Sequence, residues 1–206
     1  MFITLEGPEG SGKTSQLAPL AEFLRQQGRM VFTTREPGGT LIGEQVRSVL
    51  TNLKNTSMHP RTEILLFCSA RAQLVEEVIR PHLALNEIVL SDRYADATLA
   101  YQGYGHGVDL STLRQLLNFA TGGLWPDLTL LLDLPSEDGL KRKRTSGGEW
   151  NRLDAYELDF HKRVRSGYLE LAAREPQRWC VIDAALPAEM VQLAMRQAIR
   201  ERLPAS

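Results

Sequence analysis

Gly7-Pro8-Glu9-Gly10-Ser11-Gly12-Lys13-Thr14 follows the apolar run Phe2-Ile3-Thr4-Leu5-Glu6 and opens a segment of helical period over 14–27. It matches the pattern G-x-x-x-x-G-K-[ST], in the strand-then-helix context that pattern requires. Glycines let the backbone curl so that successive N–H groups face phosphate oxygens, in a nest at a helix N-terminus. Lys13 can then reach the β- and γ-phosphates, and the Thr14 hydroxyl can join the coordination of Mg²⁺. The stretch predicts a mononucleotide site for a triphosphate, lined by Gly7, Pro8, Glu9, Gly10, Ser11, Gly12, Lys13 and Thr14.

Working outward, further β-leaning runs appear at 30–34, 88–91, Leu128–Asp133 and 179–182, nearly continuous in apolar character. Such runs suit strands covered on both faces, as in a parallel sheet. Helical periods over 63–83, 111–120, 155–174 and 187–202 alternate with them. The alternation predicts an α/β sandwich with helices on both faces of the sheet. Gly28 reads as the residue after the first helix, Asp109 or Ser111 as a cap, Gly122-Gly123 as a helix stop and Pro187 as a first-turn proline.

Across 206 residues, 43% hydrophobic and 24% charged composition gives enough apolar material for a core and excludes wholesale disorder. Lys plus Arg number 24 against 25 Asp plus Glu, so the chain lacks the basic excess of a protein that lives on nucleic acid. The two cysteines, Cys68 and Cys180, form neither a C-x-x-C pair nor a disulfide framework and read as small buried hydrophobes. No basic leader or apolar run of roughly 20 residues is seen, and the expectation is a cytoplasmic protein without membrane partners.

The phosphate cradle is shared by motors, switch GTPases, small-molecule kinases and passive binding modules. Asn151-Arg152-Leu153-Asp154 is a poor guanine-reading motif because Arg stands where Lys is needed. Asp92-Arg93-Tyr94 lies just past the strand at 88–91, where residues line the ligand crevice of an open α/β sheet. Asp92 suits a Mg²⁺ contact and Arg93 a phosphate, with Asp133 ranked second for the metal. Phe67 and Arg71 share a helix face, an aromatic plate beside a guanidinium, although Phe67 is equally good core material. Gly103-Tyr104-Gly105-His106-Gly107 reads as a plain loop with His106 solvated. Lys141-Arg142-Lys143-Arg144 precedes a Gly147-Gly148 hinge candidate. In a phosphate-handling protein this run reads as a closing lid that brings positive charge to the migrating group.

Taken together, these residues resemble the bacterial thymidylate kinases. The likeness runs from Phe2-Ile3-Thr4-Leu5-Glu6-Gly7 through Thr34-Arg35-Glu36-Pro37-Gly38-Gly39-Thr40, Asp92-Arg93-Tyr94 and Leu99-Ala100-Tyr101-Gln102-Gly103. It continues to Pro126-Asp127-Leu128-Thr129, Arg152-Leu153-Asp154 and Val164-Arg165-Ser166-Gly167-Tyr168. The resemblance implies a three-layer P-loop NTPase fold with a five-stranded parallel sheet, a single domain over 1–206 with a lid at about 141–152, and a homodimer. It implies ATP and dTMP as substrates with Mg²⁺. Glu36, Arg47 and Arg93 would hold the sugar-phosphate end, Phe67 would stack on thymine, and Arg71, Thr98 and Gln102 would bond its edge. Tyr101 would pack by the deoxyribose, and Lys13, Asp92, Arg93, Arg142 and Arg144 would carry the chemistry. The chain has Ala97-Thr98 where the family has Ser-Ser, and Leu74 where it has His.

Overall fold

The computed structural model describes residues 1–145 and 150–203. The described residues form strands β1 (Phe2–Glu6), β2 (Val31–Arg35), β3 (Ile88–Asp92), β4 (Leu128–Asp133) and β5 (Trp179–Asp183). They make one sheet of order β2-β3-β1-β4-β5, with every neighbouring pair parallel. Leu5 and Arg35 are both in register with Asp92, so β1, β2 and β3 end level at one carboxyl edge.

The two-residue period of the strands sends alternate side chains to two separate cores. Ile3, Leu5, Leu90, Leu130 and Leu132 pack with Leu20 and Leu24 of α1 (Lys13–Gln26) and with Val191 and Met195 of α9 (Ala188–Arg200). Phe2, Val89 and Leu131 face the opposite core. There they meet Leu74 of α3 (Pro60–Leu74), Leu113 and Leu117 of α6 (Leu110–Thr121), and Val164 and Leu171 of α8 (Leu158–Arg174). Burying each such side chain contributes about 1.5–3 kcal/mol. The three-layer α/β fold expected from the sequence is therefore present.

Several local readings change. The long helix expected over 63–83 is α3, a π-helical turn (Val75–Ile79) and α4 (Arg80–Ala84). Pro81, which lacks an N–H, lies in the first turn of α4, and the widened turn before it buries both Val75 and Ile79. The Gly103–Gly105 part of the expected loop is helical: α5 (Ala95–Thr98) runs into a π-helical segment, Leu99–Gly105. A Cβ on Gly103 would lie 2.5 Å from Leu110 and one on Gly105 2.6 Å from Phe160, so both glycines serve close packing. His106 is not solvated; its ring packs on Tyr156 and Phe160. The helix α2 (Leu41–Thr51), capped by the Thr40 hydroxyl accepting from Gly43 N–H at 2.9 Å, has no counterpart in the sequence reading. Cys68 and Cys180 are free thiols and only half-buried. Pro187 stands one residue before α9 rather than inside its first turn. The Gly147-Gly148 hinge candidate lies outside the described residues.

One polar connection crosses a core. Asp96 of α5, fully buried, receives Arg178 Nη1 at 2.6 Å and Nη2 at 3.0 Å. Arg178 Nη1 also donates to the Thr129 hydroxyl at 2.8 Å, and Thr129 meets Thr4 at 3.1 Å in the middle of the sheet. Asp96→Ala leaves the Arg178 guanidinium only Glu175, 3.0 Å from its Nε, as counter-charge, and should destabilise the fold by about 3 kcal/mol in urea unfolding. Asp96→Leu combined with Arg178→Met should recover most of that loss. An Asp96→Ala cost below about 1 kcal/mol would contradict a structural role for this pair.

Candidate active site

Beyond β1 the chain turns through Gly7, Gly10 and Gly12 with φ of 145°, 71° and 91°, values that favour glycine, and enters α1 at Lys13. The resulting loop is the predicted phosphate cradle. Lys13 Nζ lies beneath it, donating to Gly7 O at 3.0 Å, Pro8 O at 2.8 Å and Ser11 Oγ at 3.2 Å. Burial and the neighbouring Arg93 pull the Lys13 ammonium down to about 8, against Glu9, Asp92 and Glu6. The Thr14 hydroxyl donates to Asp92 Oδ2 at 2.5 Å, joining the head of α1 to the end of β3.

Glycines also set how another element meets the cradle. Gly139 lies in the helix α7 (Ser136–Thr145), where glycine weakens helical order. A Cβ on it would lie 2.1 Å from Glu9 O, and a Cβ on Gly10 would lie 2.0 Å from Gly139 O. Backbone therefore packs on backbone. One turn further along the same face, Lys143 Nζ donates to Glu9 Oε2 at 3.1 Å and to Asp154 Oδ1 at 2.5 Å.

Arg93 holds a left-handed backbone with φ 71°, an uncommon conformation for a non-glycine residue, and the Ser91 hydroxyl donates to its carbonyl at 2.7 Å. Its Nη1 donates to Gly7 O at 3.1 Å and to the Tyr168 hydroxyl at 3.1 Å. Its Nη2 donates to Glu9 Oε1 at 2.6 Å and to the Tyr101 hydroxyl at 3.0 Å. The Tyr101 hydroxyl donates in turn to Glu9 Oε1 at 2.8 Å. Burial alone would raise the Glu9 carboxyl, but Arg93, Lys13 and Lys143 together hold it well below the usual range. Glu6 accepts from Tyr94 N–H at 2.7 Å and from the Tyr168 hydroxyl at 2.8 Å. Burial, assisted by Asp96 and opposed by Arg93, pushes it up to about 8.

Glu9, Lys13, Thr14, Asp92, Arg93, Tyr101 and Lys143 line the middle of a cleft of about 1120 Å³. At one end stand Arg47, Phe67, Thr98, Tyr101 and Gln102 with Glu36. Arg71, almost fully buried, pairs with Glu36 through Nη2–Oε2 at 2.5 Å and donates to the Thr98 hydroxyl at 3.1 Å. Arg47 Nη1 donates to Pro37 O at 2.9 Å. The π-helical segment presents Tyr101 and Gln102, adjacent in sequence, to the same cleft. At the other end stands Arg142, expected from the sequence, with Gln16, residues 184–188 and Val191, which the sequence reading missed. Arg142 Nη1 donates to Ala184 O at 2.8 Å, and Gln16 Nε2 to Ala188 O at 2.9 Å.

The remaining candidates fall elsewhere. Arg144 stacks over Trp150 at 5.0 Å and is not among the cleft-lining residues. Asp133 is bound by both Arg165 Nε at 2.7 Å and Nη2 at 2.8 Å. Arg152 is buried, donating to Leu50 O at 2.9 Å and pairing with Glu63.

A family model described as thymidylate kinase matches residues 5–195. The chain is 49% identical to a thymidylate kinase of Herpetosiphon aurantiacus, over 98% of this chain and 96% of the relative. It is 54% identical to that of Thermomicrobium roseum, over 97% and 94%. A crystal structure of thymidylate kinase from Ehrlichia chaffeensis superimposes with a TM-score of 0.79 at 35% identity, covering 97% of this chain and 98% of the other.

The buried Glu6 gives a pH signature. Between the ordinary carboxyl value of 4.5 and about 8 the folded chain holds this proton and the unfolded chain has released it. The folded state binds more protons there, so Glu6 supports stability fully below pH 4.5 and loses that support as pH rises through 8. The stability of the wild-type chain relative to Glu6→Gln should fall by more than about 1 kcal/mol between about pH 5 and pH 9 in urea unfolding. A gap that stays constant across that range would contradict the assignment.

Proposed function

This chain belongs to the thymidylate kinase family and transfers the γ-phosphate of ATP to dTMP, and we propose that the cleft beside the cradle seats the two nucleotides end to end, their phosphates meeting between Lys13 and Arg93. The observation that carries this reading is a shared acceptor: the Lys13 ammonium and the Arg93 guanidinium both donate to Gly7 O, at 3.0 and 3.1 Å. The cation of the phosphate cradle and the cation at the end of β3 are thus neighbours, where charge must be neutralised during transfer.

On the donor side, the amides of 7–14 and Lys13 cradle the polyphosphate. The purine lies against residues 184–188, with Gln16 and Arg142 beside it. Thr14 and Asp92 bring a hydroxyl and a carboxylate together, a hard-oxygen set that suits Mg²⁺, which keeps waters and substrate phosphates as its other ligands. Among the described residues no cluster of three or more His, Cys, Asp or Glu forms an all-protein cage, which agrees with that mode. Bound there, the ion would neutralise charge on the β- and γ-phosphate oxygens.

On the acceptor side, Glu36, Arg47 and Arg93 hold the sugar-phosphate end of dTMP. Phe67 stacks on thymine, Arg71, Thr98 and Gln102 bond its edge, and Tyr101 packs by the deoxyribose. The dTMP phosphate is ionised near neutral pH, so this chain supplies alignment and positive charge rather than a strong base. Residues 1–206 act as one kinase domain whose segment 141–152 closes as a lid. Arg142 and Lys143 are its cations at the cleft, and Arg144 lies outside it, over Trp150. We assign the protein to the cytoplasm, as a homodimer. Exposed Leu65 on α3 and Phe119 on α6, two helices in mutual contact, support a covered surface there.

The test is an acceptor panel: protein and Mg·ATP are incubated with nucleosides and nucleoside monophosphates while ADP is measured. ADP should form with dTMP well ahead of the rest, and equal rates across the panel would contradict the acceptor assignment. Lys13→Ala should lower kcat at saturating substrates by at least about a hundredfold. Arg142→Ala should lower kcat much more than dTMP affinity, because a closing lid contributes chiefly in the transition state. A change confined to KM would make that residue a binding clamp.

A further inference from the structure

Glu63 of α3 has no part in the roles assigned above, yet it is almost fully buried at the acceptor end of the cleft. Its Oε1 accepts from Gln102 Nε2 at 2.6 Å, and the His106 Nε2 stands 3.5 Å away. Its Oε2 accepts from Arg152 and, at 3.2 Å, from the Tyr156 hydroxyl. Burial alone would raise this carboxyl, but the His106 bond, the Arg152 charge and the Gln102 bond bring it down to about 2. Glu63 is therefore an ionised carboxylate, which accepts hydrogen bonds and donates none.

That property fixes the orientation of a neighbouring amide. A glutamine amide presents a donor on one side and an acceptor on the other, and its orientation is decided by its partners. With Nε2 committed to Glu63, the Gln102 carbonyl oxygen is left to the cleft, and no group among the described residues donates to it. Thr98, four residues before Gln102 on the same helical stretch, accepts from the buried donor Arg71 at 3.1 Å. We propose that Glu63 is a positioning residue that turns the Gln102 amide so that its carbonyl oxygen faces the pyrimidine, selecting a base that carries a hydrogen at N3. This deepens the functional reading above, resting on its placement of Gln102 at the base edge. Thymine offers an N3–H donor and a 4-carbonyl acceptor, which complement the Gln102 oxygen and Arg71. Cytosine offers the reverse at both positions. Arg152, the last residue of the 141–152 segment, spends its guanidinium on Glu63, Tyr156 and Leu50 and holds the selector in place.

The experiment compares kcat/KM for dTMP with that for its N3-methyl derivative, which cannot make the bond in any variant and so reports general damage. Glu63→Gln, whose side chain can donate to Gln102 and release its orientation, should compress the preference for dTMP by roughly tenfold or more. The change should lie mainly in the KM for dTMP, with kcat within about threefold. Gln102→Leu should compress the ratio similarly, and the double variant should add nothing, as expected for residues acting through one contact. A fall in both substrates with the ratio unchanged in Glu63→Gln, while Gln102→Leu compresses it, overturns the role of Glu63 alone. An unchanged ratio in Gln102→Leu overturns the placement of Gln102 at the base, and this proposal with it. Should Glu63→Gln fail to fold, dTMP is titrated into wild-type chain labelled at glutamine. The Gln102 carbonyl ¹³C should move while its amide protons keep their frequencies, and the opposite pattern overturns the proposal.

Discussion

Two cations, one buried and one half-buried, share one backbone oxygen: Lys13 and Arg93 both donate to the carbonyl of Gly7. Like charges this close repel, and the depressed Lys13 value carries that repulsion as its second-largest cause after burial. What holds them there is Glu9, placed by the cradle itself and reached by Arg93, Tyr101 and Lys143. Protein groups alone thereby concentrate positive charge on one side of the site, with a carboxylate balancing it. Electrostatic stabilisation is strongest when the groups that provide it need not reorganise.

The same constraint explains where glycine is required. α7 carries Lys143 to Glu9, and it can do so only if its first turn lies flat on the cradle. Gly139 and Gly10 make that possible, since a methyl group on either would meet a backbone carbonyl at about 2 Å. Arg142, on the same helix, thereby reaches Ala184 at the end of the cleft proposed for the purine. A helix placed in this way ties the cradle to the end of the cleft lined by residues 184–188.

The elements most legible from the sequence are those whose signal is local. The cradle is written in consecutive residues, and β1 to β5 are apolar runs whose ends shift by a residue or two at most between reading and structure. The Gly103–Gly105 end of the π-helical segment reads as a loop because it follows neither the 3.6-residue nor the two-residue period. Glu9 was legible as part of the cradle and not as the hub of four partners, since those partners come from 84 to 134 residues away, apart from Lys13. Nothing local to Arg152 shows that it pairs with Glu63, 89 residues earlier. The purine end offers no motif at all, because residues 184–188 act through backbone carbonyls that any side chain could accompany.

The most direct measurement is calorimetric binding of a single molecule in which the ATP phosphate chain is joined covalently to the 5′-phosphate of thymidine. If the two nucleotides lie end to end across Lys13 and Arg93, this compound should bind at least about a hundredfold more tightly than ATP or dTMP alone. That advantage should collapse in Arg93→Ala. Affinity no greater than that of ATP, or binding that leaves a separate dTMP molecule free to enter the cleft, would contradict the arrangement.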